Sequence, residues 1–367
     1  MPRPIQARID LSALRHNYLL AKKLISPEKA RSSEARAWAV IKANAYGHGL
    51  LRVASALEKI ADGFAMLDVS DAVMLRKAGF GHPILLLEGF FDAADLELCA
   101  EYALTPAVHR VEQLRMIREA ALPIRLPIYL KLNTGMNRLG IALEEIPLLR
   151  KELAGSSAIG DITLMMHFAD ADGERGIEWQ LKRFEAIREA WPESQGFPVS
   201  MANSAATLRY PATRYDWFRP GIMLYGCSPF DKVNAESLGL KPVMTLASRV
   251  IAVHEIGIGE RIGYGGLFAA DRPMRYGVVA CGYADGYPRH APTGTPILVD
   301  GQRTRTLGRV SMDMLACDLT DLPNAGVDSE VVLWGEGMPA DEVAAAAGTI
   351  SYELLCALAL RVPIIEV

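Results

Sequence analysis

Up to about residue 238, short apolar runs alternate with longer stretches in which apolar residues return every three or four positions. The runs at 37–42, Phe64–Asp68, Ile84–Glu88, Thr105–Val108, Pro127–Asn133, Ile162–Phe168, Pro198–Met201 and Asp216–Arg219 predict strands. Helical periodicity separates most of them, at 50–61, 70–79, 93–102, 111–121, 144–154 and 177–190. Eight strand–helix units in succession predict an α/β fold, a (β/α)8 TIM-like barrel, with its last two helices short or missing. Ahead of it, residues 12–24 read as an amphipathic helix capped by Ser12, and 26–36 as a polar loop.

From about residue 240 the texture changes to short strands broken by Gly, Asp and Pro: Val243–Val253, Tyr276–Cys281, Pro296–Val299, Arg303–Leu307, Met314–Leu319 and Glu330–Trp334. Two helical pieces follow, Asp341–Ala347 and Tyr352–Leu360. The expected organisation is a barrel over 10–238 and a mostly-β domain over 239–367, with 1–9 a candidate addition to the latter.

Half of the 367 residues are hydrophobic and 22% are charged, enough for a large core and against disorder. A net charge of −4 gives no global pull toward nucleic acid or anionic lipid, so small-molecule chemistry is favoured. The five cysteines are scattered and never form CxxC, which argues against a disulfide framework or a zinc site. There is no apolar signal core and no run of membrane-spanning length, so the chain is expected to be cytoplasmic.

In a barrel of this kind, chemistry sits at the C-terminal strand ends. Lys42 follows Trp38-Ala39-Val40-Ile41 and leads into an Asn/Gly-rich turn. Most lysines in such a place simply reach for solvent, but a desolvated lysine can also be a Schiff-base amine. The other strand ends carry Lys131 and Arg138, His167, Asn203 and Ser204, and Arg219-Pro220-Gly221. Each has an ordinary explanation alone. Together on one rim they predict an active site, and a lysine, an arginine and a phosphate-suited loop suggest pyridoxal phosphate (PLP).

The stretch Ala39-Val40-Ile41-Lys42-Ala43-Asn44-Ala45-Tyr46-Gly47-His48-Gly49 resembles the PLP-lysine signature of bacterial alanine racemases. The resemblance runs on through Lys131–Gly140, Ala202–Ala205, Arg219-Pro220-Gly221, Gly263-Tyr264-Gly265, Gly282–Tyr287 and Gly308–Asp313, in family order over nearly the whole chain. It implies that Lys42 holds PLP as an aldimine. It implies too that Tyr46, Ser204, Gly221, Ile222 and Tyr352 hold the phosphate, with Asn203 and His167 beside the cofactor and Arg219 facing the pyridine nitrogen. Arg138, Tyr283 and Met312 would bind the substrate, and Lys131, often carbamylated in the family, and Asp313 would support them. Racemisation needs a proton removed from one face of Cα and returned to the other, so two bases are expected. The resemblance supplies Lys42 and, from the other subunit of a homodimer, Tyr264. Its activity would be interconversion of L- and D-alanine, for peptidoglycan precursor supply or alanine catabolism, with a broader amino-acid racemase or a non-catalytic PLP-binding barrel as alternatives. Two positions depart from the common pattern: Asn133 stands where many members have aspartate, and Ser200 where some have histidine. A metal-dependent hydrolase would want more rim histidines than this chain has, so no metal is expected.

Overall fold

The computed structural model describes residues 3–24, 35–154 and 156–367, so most of the polar stretch at 26–36 lies outside the described residues. The chain forms two compact units, Asn17–Ala45 with Gly49–Leu224, and Met1–His16 with Tyr46–His48 and Tyr225–Val367.

The first unit is a closed barrel of eight parallel strands: Arg36–Val40, Gly63–Met66, Ile84–Leu86, Thr105–Val108, Leu126–Lys131, Ile159–Met165, Val199–Ser200 and Trp217–Phe218. It closes where Arg36 and Ala37 pair with Trp217 and Phe218. Helices Leu50–Leu57, Val69–Lys77, Ala93–Glu101, Val111–Glu119, Ile146–Leu153, Glu178–Ala190 and Ser204–Arg209 follow strands in turn. Inside, Trp38 stacks on Trp217 with ring centroids 4.1 Å apart, and its indole N–H donates to the Tyr129 hydroxyl at 3.0 Å. Trp38 and Tyr129 sit on the first and fifth of eight strands, so that bond crosses the lumen. Gly63 makes room for it: a Cβ there would lie 2.4 Å from the Trp38 ring. The barrel interior is a packed core, which leaves only its rim open to a ligand.

The second unit is an eight-stranded, mainly antiparallel sheet. Its long strand, Met244–Ile256, pairs with Glu330–Trp334 through its first half and with Met274–Val279 through its second, bringing the sheet round on itself. Two strands escape the sequence pattern. Gln6–Ile9 pairs antiparallel with Met244–Ile256, and Ile364–Glu366 lies parallel beside it.

Local details differ from expectation for identifiable reasons. The helix Leu11–Lys23 is capped by Asp10, whose Oδ1 accepts from the N–H groups of Ser12 and Ala13 at 2.7 and 2.9 Å. A carboxylate reaches both donors, so Ser12 is inside the first turn. The last helix stops at Cys356 because the chain turns away, the Ala359 N–H donating to the Asp285 carbonyl at 3.2 Å. No helix among the described residues is long and apolar enough to cross a membrane.

Candidate active site

The strand that leads to Lys42 ends at Val40, and the chain then winds left-handed. Ala43, Asn44, Ala45 and Tyr46 all have φ between 52° and 54°. Each such non-glycine residue costs about 1–2 kcal/mol, so the surroundings must hold the turn in place. Ala45 N–H donates to the Ile41 carbonyl at 2.9 Å. Asn44 Oδ1 accepts from Leu50 N–H at 2.8 Å, capping a helix whose own N-cap, Gly49, has no side chain. Lys42 sits half-buried at the mouth of this turn.

Arg219 directly follows the last barrel strand and is buried. Its Nη groups donate to Ser200 Oγ and the Met166 carbonyl, both at 2.7 Å, and more loosely to the Met201 carbonyl and His167 Nδ1 at 3.3 Å. A guanidinium only donates, so Nδ1 accepts and the neutral His167 ring carries its proton on Nε2. Arg219 Nε–H makes no hydrogen bond among the described residues, and Nη1 spends only one of its two hydrogens there, so fixed donors remain for a ligand. Burial, followed by the charges of Arg219, Lys131 and Arg138, holds His167 well below the usual histidine range.

Lys131 ends its strand buried, and its ammonium makes no hydrogen bond or ion pair among the described residues. Burial first, then Arg219 and Arg138, push its pKa down to about 8. Arg138 is exposed and likewise makes no hydrogen bond or ion pair among the described residues. Lys131, Arg138 and His167 line one small cleft. Cations gathered this way repel each other, and an anion bound among them relieves that repulsion. Asn133 lines the same cleft, but its Oδ1 is spent on the Gly135 and Asn137 N–H groups at 3.0 and 3.2 Å, shaping the turn that carries Arg138.

Ser204 Oγ accepts from the N–H groups of Gly221 and Met223 at 2.9 and 3.4 Å, which leaves its proton to be donated. Ile222, between them, is buried. Asn203 spends its side-chain oxygen on Ala206 N–H at 3.0 Å, capping the helix that begins at Ser204.

The remaining predicted residues belong to the second unit. Tyr46 and Tyr352 pack with ring centroids 6.1 Å apart, and Tyr46 stacks on Tyr225 at 4.6 Å. Tyr264 occupies the turn between the short strands Arg261–Ile262 and Phe268–Ala269 and is 71% exposed. Ile262, just before it, shares a small apolar core with Leu307, which leads into Gly308–Asp313. That segment is bound in turn to the Tyr283 loop: Tyr283 N–H donates to the Ser311 carbonyl and Ala284 N–H to the Met312 carbonyl, at 3.0 and 2.9 Å. Gly282 permits the approach, since a Cβ there would lie 2.3 Å from the Met312 carbonyl oxygen. Tyr264, Tyr283, Met312 and Asp313 are thus carried on linked loops.

Sequence reasoning missed Glu88 and His109. Both follow barrel strands, and both interact electrostatically with Lys131. Burial, then Lys131, lowers the His109 pKa. Their place one or two residues past a strand end was the available signal.

Comparison with known proteins agrees over the whole length. A model of the alanine racemase N-terminal domain matches residues 9–229, and one of the alanine racemase C-terminal domain matches 243–366. An alanine racemase from Paraburkholderia phytofirmans is 52% identical, covering 99% of each chain. A catabolic alanine racemase from Salmonella typhimurium is 50% identical over 100% of this chain and 99% of its own. The crystal structure of the biosynthetic alanine racemase from Pseudomonas aeruginosa superposes with a TM-score of 0.91 at 45% identity, covering 100% of this chain and 99% of that one. The chain belongs to the alanine racemase family.

Proposed function

We propose that this protein is an isomerase that interconverts L- and D-alanine, using PLP and two bases, Lys42 and Tyr264. The observation that carries the reading is the rim: buried cations with an unspent, fixed donor, Arg219 Nε–H, standing beside a lysine. The donor set fits the cofactor. The Ser204 hydroxyl and the loop at Gly221 and Ile222 suit its phosphate, aided by Tyr46 and Tyr352, with Asn203 and His167 alongside. Arg219 suits the pyridine nitrogen, and Arg138 the substrate carboxylate, with Tyr283 and Met312 at the same end.

Bound at Lys42, PLP supplies an electron sink that acidifies the substrate Cα–H. Arg219 would donate to the cofactor's pyridine nitrogen without delivering a proton, which would keep that sink weak and favour return of the proton over side reactions. Lys42 Nζ exchanges the proton on one face and Tyr264 Oη on the other. Lys131, whose pKa of about 8 leaves part of it as neutral amine near neutrality, suits uptake of CO2 as a carbamate. That would turn a repelling cation into a counter-charge for Arg138. Asp313 supports the Met312 segment.

We further propose a homodimer in which Tyr264 serves the barrel of the second copy. The exposure of Tyr264 and Met312, 71% and 53%, supports this, because a base that works on Cα must be covered from water. The setting would be the cytoplasm. The enantiomers have equal free energy, so the same protein serves D-alanine supply or L-alanine recovery according to which isomer is consumed.

The test is to incubate the PLP-loaded protein with single L-amino acids in deuterated water and separate the enantiomers. Alanine should reach equal amounts of both forms with deuterium at Cα. Absence of D-product from alanine sinks the reading, and faster turnover of another amino acid moves the substrate.

A further inference from the structure

We propose that Asp285, gripped by Arg3 and Arg361, is a positioning residue that sets the spacing of Tyr283 and Met312. This rests on the reading above that those two side chains meet the substrate.

The Asp285 side chain is fully buried yet remains a carboxylate satisfied by four donors. Arg3 forks onto it through Nη1 and Nη2 at 2.7 and 3.0 Å, Arg361 Nε donates at 2.8 Å, and Gly282 N–H at 2.9 Å. Burial alone would raise its pKa, but the bonds from Arg3, Arg361 and Gly282 outweigh it and the net shift is downward. Each arginine then reaches the second loop. Arg3 Nη2 donates to the Asp313 carbonyl at 2.7 Å, and Arg361 Nη2 to Asp313 Oδ1 at 2.6 Å. The loops bearing Tyr283 and Met312 are therefore tied directly, through the Tyr283 and Ala284 amides, and again through this clamp. The arginines precede adjacent strands, Gln6–Ile9 and Ile364–Glu366, so both ends of the chain converge on one carboxylate. A lone surface ion pair does little. A buried carboxylate shared by two bidentate-capable guanidiniums fixes direction as well as distance.

The test uses the PLP-loaded protein. Asp285→Asn and Arg361→Ala should each raise the KM for alanine roughly tenfold while kcat changes by no more than about threefold, with the bound-cofactor spectrum unchanged. Amides in 282–287 and 311–314 should exchange hydrogen faster, and those of 126–138 should not. Because the Arg361 side chain is 41% exposed, added guanidinium ion should restore the KM of Arg361→Ala, and Arg361→Lys should lie between. An unchanged KM, a loss confined to thermal stability, or unchanged exchange in both loops overturns the proposal. If Asp285→Asn does not fold, Arg361→Ala decides it. If the wild-type protein racemises nothing, the functional reading falls separately, and the exchange measurement still decides the clamp.

Discussion

The barrel rim and the loops of the β unit solve opposite problems. On the rim, Lys131 and Arg219 are buried, and Lys131 and His167 are both driven toward the neutral form. In the β unit, Tyr264, Tyr283 and Met312 stand 71%, 38% and 53% exposed on loops fixed from behind by hydrogen bonds. The rim provides a strong field in a place of low dielectric. The loops provide shape and a phenol, held in place but uncovered within their own unit. The proposed reaction at carbon would draw on both, the field from the rim and the phenol from the turns.

The largest effect should come from the rim. Lys42→Ala should abolish both racemisation and the visible absorbance of bound PLP, because it removes the anchor and a base at once. Retained absorbance would remove Lys42 from its place in the comparison. Tyr264→Phe should cost about 10²- to 10⁴-fold in kcat/KM, the usual worth of a general acid or base. Equal free energies of the enantiomers require the loss to be the same in both directions. If Lys42 serves the D face, as we propose, solvent exchange of the D-alanine α-proton should survive. Mixing these two inactive chains should restore one working site per hybrid dimer, and no recovery despite demonstrated subunit exchange would keep each site within one chain.

The smallest effect concerns the field itself. Lys131 has a folded pKa of about 8, against 10.5 for an unperturbed lysine. Between those values the unfolded chain binds more protons, so stability rises with pH through that window and is lost as pH falls toward 8. The displacement is worth about 3 kcal/mol at most. In CO2-free buffer, Lys131→Met should flatten this rise in Tm between pH 8 and 10, and an unchanged slope would show the ammonium to be well solvated.

Much of this was legible in the chain. Parallel strands buried on both faces read as plain apolar runs, and Thr105–Val108 has the expected bounds. The last two barrel strands are only two residues long, Val199–Ser200 and Trp217–Phe218, and the second of them closes the barrel against Arg36 and Ala37. Gln6–Ile9 and Ile364–Glu366 were invisible because each is held by partners far away in sequence. Of the site residues, those that end strands or sit in glycine-rich motifs could be named. Glu88 and His109 were not: their place just past a strand end was visible, but their electrostatic coupling to Lys131 has no sequence spacing. The backward turn after Lys42 was also hidden: Ala43, Asn44, Ala45 and Tyr46 include no glycine to announce positive φ.

That turn inverts the usual rule for editing a chain. Across Ala43 and Ala45 the backbone is one that amino acids of the opposite hand adopt at rest. A mirror-image alanine would sit there more comfortably than the natural one. Lys42 is followed by a segment folded as though from D-alanine, one of the two enantiomers that this family interconverts.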